Sequence, residues 1–253
     1  MRFPLLILCA VLIVAGAFVA FRTGVPPTAA ASLSPSDKTT FGKSVRDYLL
    51  ANPEVLVEAM QELERKQDSQ RDAVAQRAIR THQEALLRDP DSPVAGNPDG
   101  DVTVVEFNDY QCPYCKRAHT AVKAVLATDP KVRLVLKDLP ILGEPSRIAA
   151  LAALAARKQG KHGEMHDALL GFNGKLDRER IFEIAGSVGL DVPKLQEDME
   201  DPKLREIIER NAALASELGV RGTPAFVVGG HFVPGAVDAD TLRQLIAEAR
   251  RKG

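Results

Sequence analysis

The sequence predicts an α/β domain preceded by a separate helical region, and three observations carry that expectation. Two short Val-rich runs bounded by turn residues, Val102 to Phe107 and Val132 to Leu136, have the composition of strands. Helix-length segments separate and follow them, in the order strand, helix, strand, helical block, hairpin, helix. Upstream, the stretch from Glu54 to about Arg88 contains neither Gly nor Pro and reads as one long helix.

Taken in chain order, the first segment is a targeting sequence. Arg2 precedes an apolar run from Phe3 to Phe21, which Arg22 ends, a pattern that directs export. Small-residue cuts fit after Ala17 or after Ala31, and the run is also long enough to span a bilayer. Residues 1–31 are therefore expected to be a signal peptide or a membrane anchor, with the rest of the chain outside the cytoplasm. Cys9 lies inside the apolar run, behind Leu8 rather than a small residue, and is read as part of this segment. Pro26 to Ser36 is a linker rich in Pro, Ala, Ser and Thr.

Residues 32–88 form the N-terminal helical region. Phe41, Val45, Tyr48 and Leu49 recur at helical spacing until Asn52-Pro53 interrupts them. Asn52 is expected to cap the next helix, with Pro53 in its first turn. That helix carries an apolar stripe of Val55, Leu56, Ala59, Met60 and Leu63, continued by Val74, Ala78, Ile79, Leu86 and Leu87. At full length it would run roughly 50 Å. Such a stripe must be covered, by the first helix, by another subunit, or by both; a helix docked on the main domain and an oligomerisation stalk both fit. Asp89 to Gly100, with three Pro and two Gly, reads as a second linker.

The main domain is expected over residues 101–253. A helix from Pro113 to about Ala127 follows the first strand. A helical insertion over about residues 146–218 contains Ile148–Arg157, His162–Leu170, Arg178–Val188 and Lys203–Leu218. A hairpin of Ala225–Val228 and His231–Val233 turns at Gly229-Gly230, and Asp238 caps a last helix, Ala239–Arg250.

Composition excludes some functions. Lys+Arg is 33 and Asp+Glu 34, a formal net charge of −1, and there is no Trp. A nucleic-acid partner, which calls for a basic face and stacking aromatics, is not expected. Beyond the targeting segment only Cys112 and Cys115 remain. An exported chain using disulfides for stability spaces its cysteines across loops, and this one has a single close pair.

Cys112-Pro113-Tyr114-Cys115 falls at a strand-to-helix junction. Amides of a first helical turn lack intrahelical partners and the helix dipole is positive there, which favours a thiolate at the first cysteine. The thiolate is the species that attacks a disulfide. Cys115, one turn on, can displace the resulting mixed disulfide, and Pro113 suits the first helical position. Zinc needs a second ligand pair, and a structural disulfide closing so small a ring removes little chain entropy. The redox reading is the one adopted.

Other residues stand out. Glu106, within Val104-Val105-Glu106-Phe107, is either a buried carboxyl able to take the proton of Cys115 or an edge-strand residue facing water. Gly222-Thr223-Pro224 precedes a strand, and on sequence physics alone its X–Pro bond is trans. His162, Met165 and His166 have spacing that can hold a soft metal, but a surface helix with polar residues is the preferred reading, and no metal site is assigned.

Several stretches resemble the DsbA-like thioredoxin family: Val104 through Cys115, Leu139-Pro140-Ile141-Leu142-Gly143, Glu164 through Leu169, and Leu218 through Phe226. The resemblance implies a thioredoxin fold with an inserted helical lid, a cis peptide before Pro224 facing the cysteines, substrate contacts from the residue before it, and a buried acid at Glu106. The stretch Tyr48 through Leu56, with Glu58-Ala59-Met60 through Leu63-Glu64, is similar to the N-terminal region of ScsC-type proteins, oligomeric members of the family linked to copper tolerance. Thr223 and the Pro113-Tyr114 pair between the cysteines also resemble that branch. Tyr114 stands where strong monomeric oxidases of the family often have His, which argues against a highly oxidising potential.

The functional expectation is a periplasmic thiol–disulfide oxidoreductase, first a protein disulfide isomerase or reductase. Cys112, Cys115 and Glu106 are its catalytic residues, and Pro113, Tyr114, Thr223 and Pro224 contact substrate. It needs no cofactor beyond its own Cys112–Cys115 disulfide. The expected partners are cysteine-containing exported proteins, a membrane redox partner, and further copies of the chain joined through residues about 40–88, a trimer by resemblance. A dithiol oxidase and a Cu(I)-binding copper-tolerance protein are the rivals.

Overall fold

The computed structural model describes residues 35–252, so the targeting segment and Cys9 lie outside the described residues. The described residues divide into two compact units at residue 60. Among the described residues no helix is long and apolar enough to cross a membrane.

The first unit contains α1 (Pro35–Ala51) and the start of α2 (Glu54–Thr81). Pro53 ends the run of α1 as expected, but Asn52 does not cap α2 with its side chain. Its amide donates instead to the Tyr48 carbonyl (2.9 Å), closing the C-terminus of α1, where carbonyls are left without partners. Much of the apolar surface of this unit stays in water: Phe41, Tyr48, Leu50, Leu56, Val57 and Met60 are exposed, while Leu49 and Val55 are half-buried.

The expected single helix to residue 88 is two helices. Backbone dihedrals leave the helical region at His82, and a short α3 (Gln83–Leu87) follows. The turn makes Leu86 fully buried, alongside Ala78 and Ile79 of α2. Residues 61–88 cluster with the second compact unit.

The second expected linker also needs correction. Within 89–100 lies β1 (Val94–Gly96), an edge strand hidden by the surrounding Pro and Gly. Gly96 has φ +69°, and a Cβ there would sit 2.5 Å from the Val132 carbonyl oxygen, so close approach to the next strand requires glycine. Asp89 anchors the same segment by pairing with the buried Lys137 at 2.9 Å.

The rest follows the expected order. β2 (Val102–Asn108), α4 (Pro113–Thr128) and β3 (Val132–Asp138) come first. The helical block is α5 (Glu144–Ala155), a 3-10 turn at Ala156–Gln159, α6 (His162–Gly171), α7 (Arg178–Ser187), α8 (Val192–Asp198) and α9 (Pro202–Glu217). The sequence reading lacked α8, which is only 7 residues long and is capped by Asp191. β4 (Ala225–Val228), β5 (His231–Pro234) and α10 (Ala239–Lys252) close the chain, with Asp238 accepting the Thr241 amide at 2.7 Å.

The sheet order is β1-β3-β2-β4-β5, with β2 and β3 parallel and the other pairs antiparallel. β2 is therefore central, and its residues alternate between two covered faces. Val102 and Val104 meet Val122 and Val125 of α4 and Leu242 and Ile246 of α10. Val105 and Phe107 meet α2, α3 and α9 on the other side. A third cluster fills the helical block and includes Tyr110, Cys112 and Cys115, so the cysteine pair sits where the block meets the sheet domain.

Candidate active site

The connection from β2 to α4 is held by one carboxylate. Asp109 accepts the amide of Gln111 (2.8 Å) and those of Ile141 (2.8 Å) and Leu142 (3.0 Å), tying the approach to the cysteines to the loop after β3. Gln111 donates to the Leu176 carbonyl (2.8 Å) and Lys116 to that of Phe172 (2.7 Å), which fixes the helical block beside the site.

Cys112 occupies the N-cap position of α4 with extended dihedrals, and Pro113 begins the helix. This is the helix-start location the sequence predicted. The Cys112 thiol donates to the Thr223 carbonyl oxygen at 3.1 Å. Thr223-Pro224 is a cis peptide, against the trans expectation from local sequence physics and in agreement with the family resemblance. Both cysteines are buried, Cys112 at 5% exposure and Cys115 at 0%, so Cys112 is the slightly more accessible of the two. Burial pushes the Cys115 thiol far up, a nearby Cys112 adds to this, and the Asp109 amide, donating to its Sγ at 3.4 Å, offsets part of it. Cys115 therefore needs a base before it can act as a nucleophile.

Glu106 lies on central β2, on the face shared with Val102 and Val104 that α4 covers, so the water-facing edge-strand alternative fails. It is fully buried, and neither carboxyl oxygen has a hydrogen-bond partner in the protein. Burial, reinforced by the charge of Asp138, raises it to about 8. Asp138 is itself raised to about 7, chiefly by burial, with Tyr110 and Asn108 beside it favouring its anion. A carboxyl titrating near 8 can hold or accept a proton at neutral pH.

Tyr110, Asn108, Asp138 and His166 are the site's polar residues that sequence reasoning missed. The surface-helix reading of His162–His166 fails: Met165 and His166 are buried where α6 packs on α4 and α5. His166 Nδ1 lies 3.0 Å from the Tyr110 hydroxyl and its ring meets that of His119 edge-on. Burial holds His166 well below the usual histidine range, which keeps it neutral. The signal available in sequence was the unusual density of polar residues around 106–110 in an otherwise apolar strand.

A cleft of about 1710 Å³ opens beside the pair, walled by Tyr114, Thr223 and Pro224 together with Gln67, Arg71 and Val74 of α2. Three of the four expected substrate-contact residues thus share one cleft wall. Pro113 is exposed at the start of α4 but lies outside that wall. Arg117 stacks over the Tyr114 ring at 4.3 Å and holds it at the rim.

Residues 103–247 match the family described as the DSBA-like thioredoxin domain. The chain belongs to the DSBA-like thioredoxin family. Residues 37–70 match a second family, the copper resistance protein ScsC N-terminal domain. Among solved DSBA-like structures, the chain is similar to a thioredoxin-like oxidoreductase from Silicibacter pomeroyi DSS-3, with 50% identity, 66% of this chain and 97% of that one covered, and a TM-score of 0.65. It is also similar to Proteus mirabilis ScsC in a transitional conformation, with 32% identity, 88% and 99% covered, and a TM-score of 0.65. The fold is accordingly the DSBA-like thioredoxin fold, a mixed sheet with many helices. A curated relative, the Na(+)/H(+) antiporter NhaA 1 of Salinispora arenicola, is 34% identical over 164 residues, which are 64% of this chain and 25% of the relative. The chain spans about a quarter of that relative's length.

Proposed function

We propose that the protein is an exported, periplasmic thiol–disulfide oxidoreductase that works as a protein disulfide isomerase or reductase. The observation that carries this reading is the asymmetry of the pair: an outer Cys112 at the start of α4 facing Thr223, and an inner, fully buried Cys115 above an unpaired carboxyl.

The Cys112 thiolate attacks a substrate disulfide, forming a Cys112–substrate disulfide and expelling one substrate thiolate, which takes a proton from water. A second substrate thiol can then attack the mixed disulfide, giving a rearranged bond with no net redox change. Alternatively Cys115 attacks it. Its proton passes to Glu106, the Cys112–Cys115 bond forms as the Cys112–substrate bond breaks, and the second substrate sulfur leaves as a thiolate that takes a proton from water, so that the substrate is reduced to a dithiol and the enzyme is oxidised. A membrane redox partner would return the enzyme to its dithiol. Tyr114, Thr223 and Pro224 would hold the substrate chain in the cleft.

Exposed apolar residues over 41–60 support assembly of several copies, which would place several sites around one substrate. The match of residues 37–70 to the ScsC N-terminal domain favours the same reading. The decisive experiment refolds a scrambled multi-disulfide substrate and, in parallel, a fully reduced one. Rescue of the scrambled substrate by reduced enzyme is expected. Oxidation of the reduced substrate without rescue would make the protein a dithiol oxidase, and tight Cu(I) binding with little exchange would make it a copper buffer.

A further inference from the structure

Beneath the cysteine pair, two acidic side chains occupy one face of two neighbouring strands. Glu106 pairs with Leu136 across the parallel β2–β3 ladder, and Asp138 is two residues on, so Glu106, Asn108 and Asp138 point to the same side of the sheet. Glu106 and Asp138 are thus diagonal neighbours on that face. Glu106 and Asp138 are 0% and 1% exposed, and all four of their carboxyl oxygens, like both polar atoms of the Asn108 side chain, lack a hydrogen-bond partner in the protein.

Among the described residues no cation offsets them. The groups that face the pair are Cys115 from α4, Asp109 and Tyr110 from the β2–α4 connection, and Asn108 from β2 itself. The nearest lysine in sequence, Lys137, alternates to the opposite face and is spent on Asp89. Two carboxyls buried on one face of the sheet, with no counter-charge against them, cannot both ionise cheaply.

We propose that Asp138 is a positioning residue for proton transfer, coupled to Glu106 through its charge and so setting the pH at which Glu106 can receive the proton of Cys115. In this role Asp138 acts through Glu106 and not on the sulfurs themselves. Its charge disfavours the Glu106 anion, keeps the proton on Glu106 until the site is alkaline enough, and makes release from the mixed disulfide pH-dependent near neutrality. The pair titrates as a unit, so each carboxyl must respond to removal of the other. The two carboxyls also have separate surroundings: Tyr110 and Asn108 stand beside Asp138 and favour its anion, whereas Glu106 has no such neighbour. That difference assigns the proton to Glu106 and the charge to Asp138.

This inference rests on the exchange chemistry proposed above, and its test separates the two. In the full chain, carboxyl carbons labelled with carbon-13 are titrated by NMR in wild type, Asp138→Asn, Glu106→Gln and the double variant. The rate of Cys115-dependent release from a preformed Cys112 mixed disulfide is followed over the same pH range. Asp138→Asn should lower the Glu106 midpoint by about one pH unit or more, and Glu106→Gln should lower that of Asp138 reciprocally. The release rate of Asp138→Asn should shift to lower pH by the same amount as its Glu106 titration, and the shift should vanish in the Glu106→Gln background. A Glu106 midpoint unmoved by Asp138→Asn, in protein whose spectrum is otherwise native, would overturn the proposal, as would a reciprocal titration that stays in place. If wild-type protein shows no exchange at all, the function fails, and the titrations still decide whether the carboxyls are coupled.

Discussion

The N-terminal helices and the floor of the cysteine site break the usual segregation of polar and apolar groups in opposite directions. Over residues 41–60, Phe41, Tyr48, Leu50, Leu56, Val57 and Met60 stand in water. Beneath α4, Glu106, Asn108 and Asp138 are buried with no partner. An unpartnered apolar stripe has a free-energy reason to find a second surface, about 25 cal/mol for each Å² it covers. Unpartnered buried carboxyls have a reason to keep their protons. One region leaves apolar surface in water and the other keeps acidic groups out of it, and under the proposed function the first associates and the second holds a proton for use.

The largest expected effect falls on the site. Cys112→Ser should abolish exchange, a loss of at least about 10³-fold, whereas Cys115→Ser should leave the first attack intact and accumulate a mixed disulfide. Turnover of a fluorescent disulfide substrate measures both, and wild-type turnover by Cys112→Ser would remove the asymmetry from which the account starts.

Glu106→Gln comes next. Losing the proton acceptor should slow Cys115-dependent release by about 10²-fold and flatten its rise with pH through about 8. The same substitution probes stability. The folded protein binds this proton more tightly than the unfolded chain, whose carboxyl titrates near 4.5. The stabilisation is thus complete below about pH 4.5 and is lost as pH rises to about 8, at up to about 1.4 kcal/mol per pH unit. Urea unfolding at pH 5 and pH 8 should show wild type weakening between them and Glu106→Gln weakening less. Equal pH dependence in both would mean the carboxyl is not buried as described.

On the other side of the comparison, Leu56→Glu with Met60→Glu should reduce the mass seen by light scattering to that of a single chain, with exchange on a small disulfide unchanged. An unchanged mass would leave the exposed stripe without its proposed role. The smallest effect is expected from Tyr110→Phe, which removes the hydroxyl beside His166 and should cost about 1 kcal/mol.

Much of this was legible in the sequence because it rests on local rules. A Cys-Pro-Tyr-Cys turn between a Val-rich strand and a helix announces its own geometry, and the Gly229-Gly230 hairpin and the Asp238 cap follow from turn chemistry. What escaped depends on contacts distant in sequence. Whether Glu106 faces water depends on β4 pairing with β2, a contact with a segment more than a hundred residues away. β1 is only 3 residues long and needs β3 to exist as a strand. His166 is polar by type yet buried by the packing of α6, and Asp138 matters only because the parallel register puts it on the face of Glu106. The cis form of Thr223-Pro224 came from resemblance, since local preference pointed the other way.

The central claim is that Cys112 is the sulfur that substrates meet. It is tested most directly by incubating Cys115→Ser protein with a disulfide-containing exported protein, quenching in acid and mapping the adduct by mass spectrometry. A covalent adduct on Cys112, released by dithiothreitol and absent from Cys112→Ser, is the predicted result. No adduct, or capture by Cys115 in the Cys112→Ser protein at the same rate, would contradict it.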